Sequence, residues 1–386
     1  MKIPLPNTAR FSIGGDPEGF LLDKKGYIAP LHHLEKDFPV YFNTPVWRRD
    51  GCAIEWNPHP ERCRESFLYG IRGTINKLND FASRREGHFV LRAKARTLTK
   101  YLADAPDDMK QGGCDPDYDA YSGMLKTPRS YRTNARYAGG HVHFGVHESN
   151  SERAGYVKLP EDELVERYAG VITLLDQYVG IPLVAIGGSQ QATGEAERRR
   201  YYGQAGSFRV QPHGFEYRVP SSYLYSSPVL LSGMLGMARI VVNSYFLNTH
   251  EQLVLNTEKS QKASKQLRLL DEITVRHIID THDYLAAQAW CMEVLFPSIG
   301  YVQNVSNSSS KDFHIIATAL AALTYGSMQE HFLSTNLATN WIDFYGPAWA
   351  LAMRNGWGWY KYVQEFTKHN LISGGSIENA EEEDGD

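Results

Sequence analysis

The sequence predicts an α+β fold in which helices cover a mainly antiparallel sheet, and two observations lead to that prediction. Residues 1–225 carry short apolar or alternating runs broken by Gly, Pro and Asp, which is the pattern of β-strands. From Pro228 onward the chain instead carries long segments with broad apolar faces, which is the pattern of helices. Strands followed by helices favour an α+β arrangement over a regular alternation of the two.

The sheet-rich part is defined by its short runs. Candidate strands are Arg10–Ile13, Gly19–Asp23, Cys52–Asn57, His88–Ala95, Gly140–Val146, Ser207–Gln211 and Phe215–Val219. Two helices are expected among them, because apolar residues recur on one helical face from Phe67 to Ala82 and again from Leu164 to Val179.

The part over residues 226–377 is predicted to be helical. Candidate helices are Val229–Leu247, Lys262–Ile279, Ala286–Phe296, Phe313–Phe332 and Trp349–Phe366. Because no convincing linker interrupts the chain, a single domain is expected over residues 1–377. The acidic end, residues 378–386, is expected to be disordered.

Composition argues against several classes of protein. The formal net charge is −4, whereas a broad nucleic-acid surface is strongly basic. No run of about 18 apolar residues lacks a polar break, so no membrane span is expected. The four cysteines form no CxxC, and Cys52, Cys63 and His59 match no usual zinc spacing. These features favour a reduced, cytoplasmic protein without disulfides.

Polar residues occur four times in pairs spaced i, i+2 within or beside a predicted strand. The pairs are Asp16 with Glu18, Glu55 with Asn57, His141 with His143, and Glu216 with Arg218. On a strand this spacing puts both side chains on one face. Large apolar residues alternate with them and would face the opposite side, so the sheet would have one apolar face and one chemically active face.

The residue types on that active face favour divalent metal and phosphate. Carboxylates gathered on one surface repel one another unless cations lie between them, and carboxylate-rich sites favour Mg²⁺ or Mn²⁺. Arginines suit phosphate, and several fall in the same region: Arg198, Arg199, Arg200, Arg209 and Arg218. Metals and arginines together predict a site for ATP and phosphoryl transfer.

Each feature also has a purely structural interpretation. The Asp16 pair has the Gly and Pro neighbours of a turn, Asn57 precedes a proline that ends a strand, and Glu55 could pair with a surface arginine. The two histidines could be hydrogen-bonded core residues, and Glu216 with Arg218 could be a cross-strand ion pair. Arg198 to Arg200 have the pattern of a solvated charged face. The joint occurrence of the pairs is what favours function.

The order of the motifs resembles the glutamine synthetase-like superfamily. DPEGFLLD, AGGHVHFG and FEYRVPSS follow one another as the corresponding strands do in that superfamily. DGCAIEWNP and RRRYYGQAGSFR resemble more specifically the phage-encoded COOH-NH2 ligase type 2 family. The resemblance spans Gly14 to Ser222, and it implies a curved, mainly antiparallel sheet with helices packed on its outer face.

The resemblance also implies roles, residue by residue. The implied metal ligands are Asp16, Glu18, Glu55, His141 and Glu216. The implied nucleotide-binding residues are His143, Arg200, Arg209 and Arg218. Arg209 and Arg218 would stabilise the transferring phosphoryl group, and Glu55 would act in catalysis through its metal. The implied cofactors are ATP and Mg²⁺, with Mn²⁺ as an alternative.

The predicted function is therefore an ATP-dependent carboxylate–amine ligase that forms an amide through an acyl phosphate and releases ADP and phosphate. A guanidino-kinase-like phosphotransferase, a metal-dependent hydrolase and a non-catalytic binding protein remain alternatives. The predicted partners are a small-molecule or peptide carboxylate and an amine, without membrane or nucleic acid. Assembly into a homo-oligomer is compatible with the resemblance.

Two features stay open at the level of sequence. The substrate pockets of glutamine synthetase are not recognisable, so its amino-acid substrates are not assumed. The polar loop at residues 104–136 is either a lid, a part of the acceptor site or a surface insertion. For a phage-encoded enzyme the expected location is the cytoplasm of the bacterial host.

Overall fold

A computed structural model describes residues 11–37, 47–62, 64–83, 90–92, 96–100, 103–112, 114–130, 133–146, 160–246 and 270–295. The predicted helices Phe313–Phe332 and Trp349–Phe366 and the predicted acidic tail lie outside these residues. Within them the chain combines helices with antiparallel sheets, so the predicted α+β class is confirmed.

Twelve strands form three sheets among the described residues. They are β1 Ser12–Gly15, β2 Glu18–Leu22, β3 Trp47–Asp50, β4 Ala53–Trp56, β5 Val90–Arg92, β6 Arg96–Leu98, β7 Asp117–Asp119, β8 Leu125–Lys126, β9 Ala135–Tyr137, β10 Val142–Gly145, β11 Ser207–Gln211 and β12 Gly214–Tyr217. The largest sheet has the order β1-β10-β12-β11-β7-β8, the second β3-β4-β2-β5, and the third pairs β6 with β9. β1 and β2 are separated by two residues yet belong to different sheets, so the chain passes directly from one sheet to the other.

The helices are α1 Leu31–Asp37, α2 Arg64–Ser83, α3 Asp107–Lys110, α4 Glu161–Leu175, α5 Ile181–Arg198, α6 Pro228–Phe246, α7 Glu272–Thr281 and α8 Tyr284–Trp290. A π-helical turn, Asp176–Gly180, joins α4 to α5, and another, Cys291–Leu295, follows α8. The helical faces predicted for α2 and α4 are buried, as at Phe67, Ile71 and Tyr168. α7 begins ten residues later than predicted, where Asp271 caps it by accepting from the Thr274 N–H; the preceding part of that prediction lies outside the described residues.

The core lies between the sheets and the long helices. Phe144 of β10 and Phe215 of β12 lie on the face of the large sheet that meets α4 and α6, where Phe215 and Tyr168 have ring centroids 5.0 Å apart. α2 packs across the second sheet, with Phe81 against Trp47. Burial of this apolar face leaves the opposite face of the large sheet for polar residues.

One helical run in the described part of the chain, Glu161–Arg198, is long and apolar enough to cross a membrane. In its most apolar window 78% of the residues are buried inside the protein. The run therefore packs as a core helix pair, with the apolar residues serving the core.

Candidate active site

The strand register places three predicted site residues in one row across the large sheet. Gly14 of β1 pairs with His143 of β10, His143 pairs with Glu216 of β12, and Glu216 pairs with Arg209 of β11. Residues paired in register share a face of the sheet. His143, Glu216 and Arg209 therefore line the face opposite the aromatic core residues.

Asp16 joins this row from the link between β1 and β2. Its Oδ1 lies 3.4 Å from Nδ1 of His141 and 3.4 Å from Nε2 of His143. His141 Nδ1 lies 3.2 Å from Glu216 Oε1. Ligand atoms of Asp16, His141 and Glu216 all lie within 4.8 Å of one another. These three residues are called the first cluster below.

A second cluster comes from the neighbouring sheet. Glu18 of β2 pairs in register with Glu55 of β4, and Asp50, at the end of β3, supplies a third carboxylate. Ligand atoms of Glu18, Asp50 and Glu55 also lie within 4.8 Å of one another. The five predicted metal ligands thus divide between two clusters. Asp16 and Glu18, predicted to share one strand face, go to different clusters because only Glu18 is in a strand.

Neighbouring groups orient the second cluster. The Gly139 N–H donates to Glu18 Oε2 at 2.7 Å, and Asn57 Nδ2 donates to Glu55 Oε1 at 2.8 Å. Arg48 also donates to Glu55 Oε1, at 3.0 Å. Asn57, paired with Glu55 in the sequence motif, therefore helps to orient the Glu55 carboxylate. The surface-arginine interpretation of Glu55 has one too, since the Arg48 side chain is 64% exposed.

Carboxylate repulsion is visible in the second cluster. Burial raises the pKa of Glu18, and the charges of Asp50, Asp16 and Glu55 raise it further. Burial likewise raises the pKa of Asp50 and of Glu55, with Asp16 adding to both. Asp16 therefore lies close enough to couple the two clusters electrostatically. A cation between these carboxylates would offset their mutual repulsion and so lower their pKa values.

The first cluster is balanced by its own cations. Burial would raise the pKa of Asp16, but the charges and hydrogen bonds of His141 and His143 outweigh it and hold that pKa well below its usual range. Burial would also raise the pKa of Glu216, yet Arg218 and His141 lower it. Burial and the charge of Arg218 lower the pKa of His141, so its imidazole gives up a proton more readily and is suited to ligate a metal.

The donor set fits divalent metal. Asp16 Oδ1 and His143 Nε2 are buried without a well-formed hydrogen bond among the described residues. In the first cluster the contacts of 3.2 and 3.4 Å from His141 Nδ1 are close to the ~3 Å that separates neighbouring ligands around an octahedral ion with bonds of about 2.1 Å. A second cluster of three carboxylates is likewise typical of a hard cation.

Arg218 and Arg209 lie beside Glu216 and face a segment of the 104–136 loop. Arg218 contacts Glu216, lies 3.5 Å from Asp117 and donates to the Cys114 sulfur. Arg209 donates to the backbone oxygens of Asp115 (2.7 Å) and Pro116 (3.0 Å) and lies 3.9 Å from Glu216. Glu216 and Arg218 therefore do form an ion pair, and the guanidinium group of Arg209 lies beside the same carboxylate.

Part of the 104–136 loop extends the large sheet and contacts residues of the site. β7 and β8 extend the large sheet beyond β11, and Cys114 to Asp117 lie against both arginines. Burial raises the pKa of Asp117 to about 6, against the lowering effect of Arg218. This placement favours the lid or acceptor-site interpretations over a surface insertion.

Close backbone approach positions the histidines. The Gly140 N–H donates to Pro220 O at 3.1 Å, and a Cβ added at Gly140 would overlap the backbone of Ser221. The Ser222 N–H donates to Ala138 O at 3.1 Å. The segment after β12 therefore braces the segment before β10, which carries His141.

The three consecutive arginines, Arg198 to Arg200, have different environments. Arg198 and Arg199 are buried and pair with Glu195, contrary to a solvated face. Arg200 is exposed and lies apart from both clusters, in the wall of a cavity of about 330 Å³. That cavity is lined by Arg96, Leu98, Thr133, Asn134, Ala135, Tyr137, Glu197, Arg200 and Tyr201.

Three residues of the site were missed by the sequence reasoning. Asp50 stands at the start of the DGCAIEWNP motif, and a hairpin between β3 and β4 would have brought it beside Glu55. Cys114 and Asp117 had no local signal, because their contact with Arg218 spans about a hundred residues of chain.

Comparison with known proteins supports the resemblance. Residues 163–310 match the model of the family described as Phage phiEco32-like COOH.NH2 ligase-type 2. The match covers less than half of the chain. It includes β11 and β12, with Arg209, Glu216 and Arg218, and excludes the second cluster. The match confirms the resemblance to the COOH-NH2 ligase type 2 family and supports an enzyme of the carboxylate–amine ligase kind.

No curated protein matches the chain. Among solved structures, a bifunctional glutathione synthetase from Pasteurella multocida is similar with a TM-score of 0.43 and 10% sequence identity, over 94% of this chain and 52% of that one. The chain thus spans about half the length of that protein. At this TM-score the likeness carries no conclusion about fold or activity.

Proposed function

We propose that this chain is an ATP-dependent ligase that activates a substrate carboxylate as an acyl phosphate and then joins it to an amine. The observation that carries the proposal is the grouping of the first cluster with Arg209 and Arg218 on one face of the large sheet, beside the second cluster of the neighbouring sheet, to which Asp16 couples it. The family match over residues 163–310 supports the ligase class. The glutamine synthetase-like sheet and the single domain over residues 1–377 are part of the same proposal.

The clusters and arginines would divide the work. Asp16, His141 and Glu216 would hold one Mg²⁺ or Mn²⁺, and Glu18, Asp50 and Glu55 another; bound metal would supply charge neutralisation at the ATP phosphates. Arg209 and Arg218 would donate to the transferring phosphoryl group, where developing charge is stabilised most strongly. His143 lies at the edge of the first cluster and would contact a phosphate oxygen.

The reaction follows from that arrangement. A substrate carboxylate oxygen attacks the γ-phosphorus in line, and the bond to the ADP oxygen breaks. An amine then attacks the acyl carbon, loses one proton, and phosphate leaves. Because Cys114 to Asp117 contact the same guanidinium groups, phosphate would compete with this segment for Arg209 and Arg218. Once released from the guanidinium groups, the segment would cover the bound phosphate and limit hydrolysis of the acyl phosphate.

The cavity beside Arg200 is a candidate for the substrate. Arg96 lies 2.5 Å from Glu197, and Tyr137 donates to Glu197 at 3.1 Å, whereas Arg200 has no ion-pair partner among the described residues. Tyr137 precedes the segment that contacts Glu18, and the Tyr202 ring centroid lies 6.4 Å from that of His141. An unpaired guanidinium in a small cavity suits a second anionic group of the substrate.

The test measures ADP and phosphate release from ATP and Mg²⁺, with and without a bacterial metabolite extract. We expect extract-stimulated release by the wild type, loss of it in Glu216→Gln, and no change in the matched control Glu163→Gln on the exposed side of α4. Mass spectrometry would then show a new amide. A stable phosphorylated metabolite would indicate a phosphotransferase instead. Absence of both ATP binding and release would contradict the proposal.

A further inference from the structure

Two histidines and an aspartate lie together where α1 meets the start of the 104–136 loop. Oδ2 of Asp104 lies 3.1 Å from Nε2 of His33 and 3.9 Å from Nε2 of His32. The two imidazole centroids are 4.0 Å apart. One ligand atom from each residue lies within 4.8 Å of the other two.

These separations are close to those of a tetrahedral metal site. With Zn–N and Zn–O bonds of about 2.0–2.2 Å, neighbouring ligand atoms are about 3.4 Å apart. The two contacts to Asp104 lie on either side of that value. Small rotations of exposed side chains would suffice, because His33 is 51% and Asp104 is 65% exposed.

His32 supplies an independent indication of a ligand. The residue is 4% exposed, and neither ring nitrogen has a hydrogen-bond partner among the described residues. A buried polar atom without a partner costs about 1–3 kcal/mol, so such atoms are rare and call for an explanation. A metal bonded to Nε2 would give one of the two His32 ring nitrogens a partner. The exposed side chains of His33 and Asp104 leave a path by which a metal can enter from solvent.

We propose that His32, His33 and Asp104 form a transition-metal site that takes Zn²⁺, with water as the fourth ligand. Two imidazoles and one carboxylate favour zinc over magnesium. The site shares no residue with either carboxylate cluster and does not depend on the proposed reaction. Bound zinc would fasten the start of the loop, at Asp104, to α1, and that loop carries the Cys114–Asp117 segment against the arginines.

The test is a competitive titration of the full chain with Zn²⁺ against a chromophoric chelator, in excess Mg²⁺. We expect one tightly bound zinc per wild-type chain, and more than about 100-fold weaker binding in His33→Ala and Asp104→Asn, since even loss of an outer partner costs about 10–100-fold. Both residues are exposed, so far-UV circular dichroism should show a retained fold. His59→Ala is the matched control, because His59 is 86% exposed and lies near a carboxylate, 3.8 Å from Glu61.

Hydrogen exchange tests whether bound zinc fastens the start of the loop to α1. We expect Zn²⁺ to slow hydrogen exchange in residues 103–112 of the wild type and to leave it unchanged in His33→Ala. The proposal is overturned if no tight zinc binds, if His59→Ala weakens binding as much as His33→Ala, or if only His141→Ala removes the zinc. The last outcome would place the ion in the first cluster.

Discussion

At the scale of single residues, the carboxylates of the second cluster repel one another. Glu18, Asp50 and Glu55 are mutually close, and the pKa of each is raised by burial and by neighbouring carboxylates. A carboxyl group with a raised pKa in the folded state binds more protons folded than unfolded. Folding stability from that group therefore falls as the pH rises from its unfolded pKa through its folded pKa.

Glu55→Gln should therefore stabilise the metal-free protein at neutral pH while weakening its affinity for Mn²⁺. The amide keeps an oxygen that can accept from Asn57 and Arg48 but removes one of three charges. We expect the Tm at pH 7.5, with chelator, to rise by about 1–2 °C, the shift that ~1 kcal/mol produces at an unfolding entropy of about 2.1 cal/mol/K per residue. The gain should disappear as the pH is lowered, because protonation neutralises Glu55 in the wild type.

Thermal unfolding of both proteins from pH 5 to 8 checks this prediction. Glu35→Gln is a suitable control, since Glu35 lies on α1 and pairs with Arg49 outside the cluster. A Glu55→Gln variant that is less stable than the wild type at pH 7.5 would show that the cluster is not repulsive.

Arg218 is the second residue whose geometry makes a specific prediction. Its guanidinium contacts Glu216, Asp117 and Cys114 at once. Burial would lower its pKa, but the charges of Glu216 and Asp117 outweigh burial and hold that pKa above the usual value. Arg218→Lys keeps the positive charge but loses the planar guanidinium, whose several N–H donors contact these groups at once. We expect kcat for phosphate release to fall by about 10²-fold, as for a lost charge-stabilising donor. Arg129→Lys, at an exposed position, should leave kcat unchanged.

At the scale of elements, packing decides where the histidines lie. Gly140→Ala would drive a methyl group into the backbone of Ser221, which cannot rotate away as a side chain can. We expect a loss of stability of about 1–3 kcal/mol and weaker metal binding, because His141 is the next residue. Gly73→Ala is the matched control: a Cβ there meets no atom within 4 Å, and Gly73 lies inside α2. That substitution should stabilise the protein by about 0.5–1 kcal/mol.

Chemical denaturation of the two alanine variants checks this pair. Equal effects of the two substitutions would contradict the assigned bracing between the segments before β10 and after β12.

The elements that the sequence predicted are those with a clear hydrophobic period. β2, β4, β10, β11 and β12 fall within or next to predicted runs. β3, β7 and β9 read WRRD, DYD and ARY, too short and too polar to show alternation. α5 was not predicted because Pro182 and the Gly187–Gly188 pair are typical of a break. Gly188 indeed leaves helical geometry, with φ 53° and ψ −158°, while its carbonyl lies 3.2 Å from His282 Nε2.

At the scale of the whole molecule, local spacing could identify the site residues but not their grouping. The i, i+2 rule gathers side chains on one strand, whereas Asp16 and Glu18 separate because the chain changes sheets between them. Their partners come from hairpins and from the loop, and these long-range pairings depend on the complete fold. The division into two clusters is therefore a property of the sheet arrangement.

That arrangement predicts that divalent metal stabilises the folded chain as a unit. The first cluster belongs to the large sheet and the second to its neighbour, and Asp16 couples them electrostatically. Ligands that bind only the folded state stabilise it by RT ln(1 + [L]/Kd), or about 2.7 kcal/mol at one hundred times Kd.

We expect the Tm to rise with Mg²⁺ or Mn²⁺ concentration, and the rise to be larger at pH 8 than at pH 6. The pH dependence arises because metal must displace protons from Glu18, Asp50 and Glu55, whose pKa values are raised. Asp16→Asn should reduce the rise and Asp162→Asn, on the surface of α4, should not. A Tm that does not respond to either metal at pH 8 would show that the two clusters hold no cation.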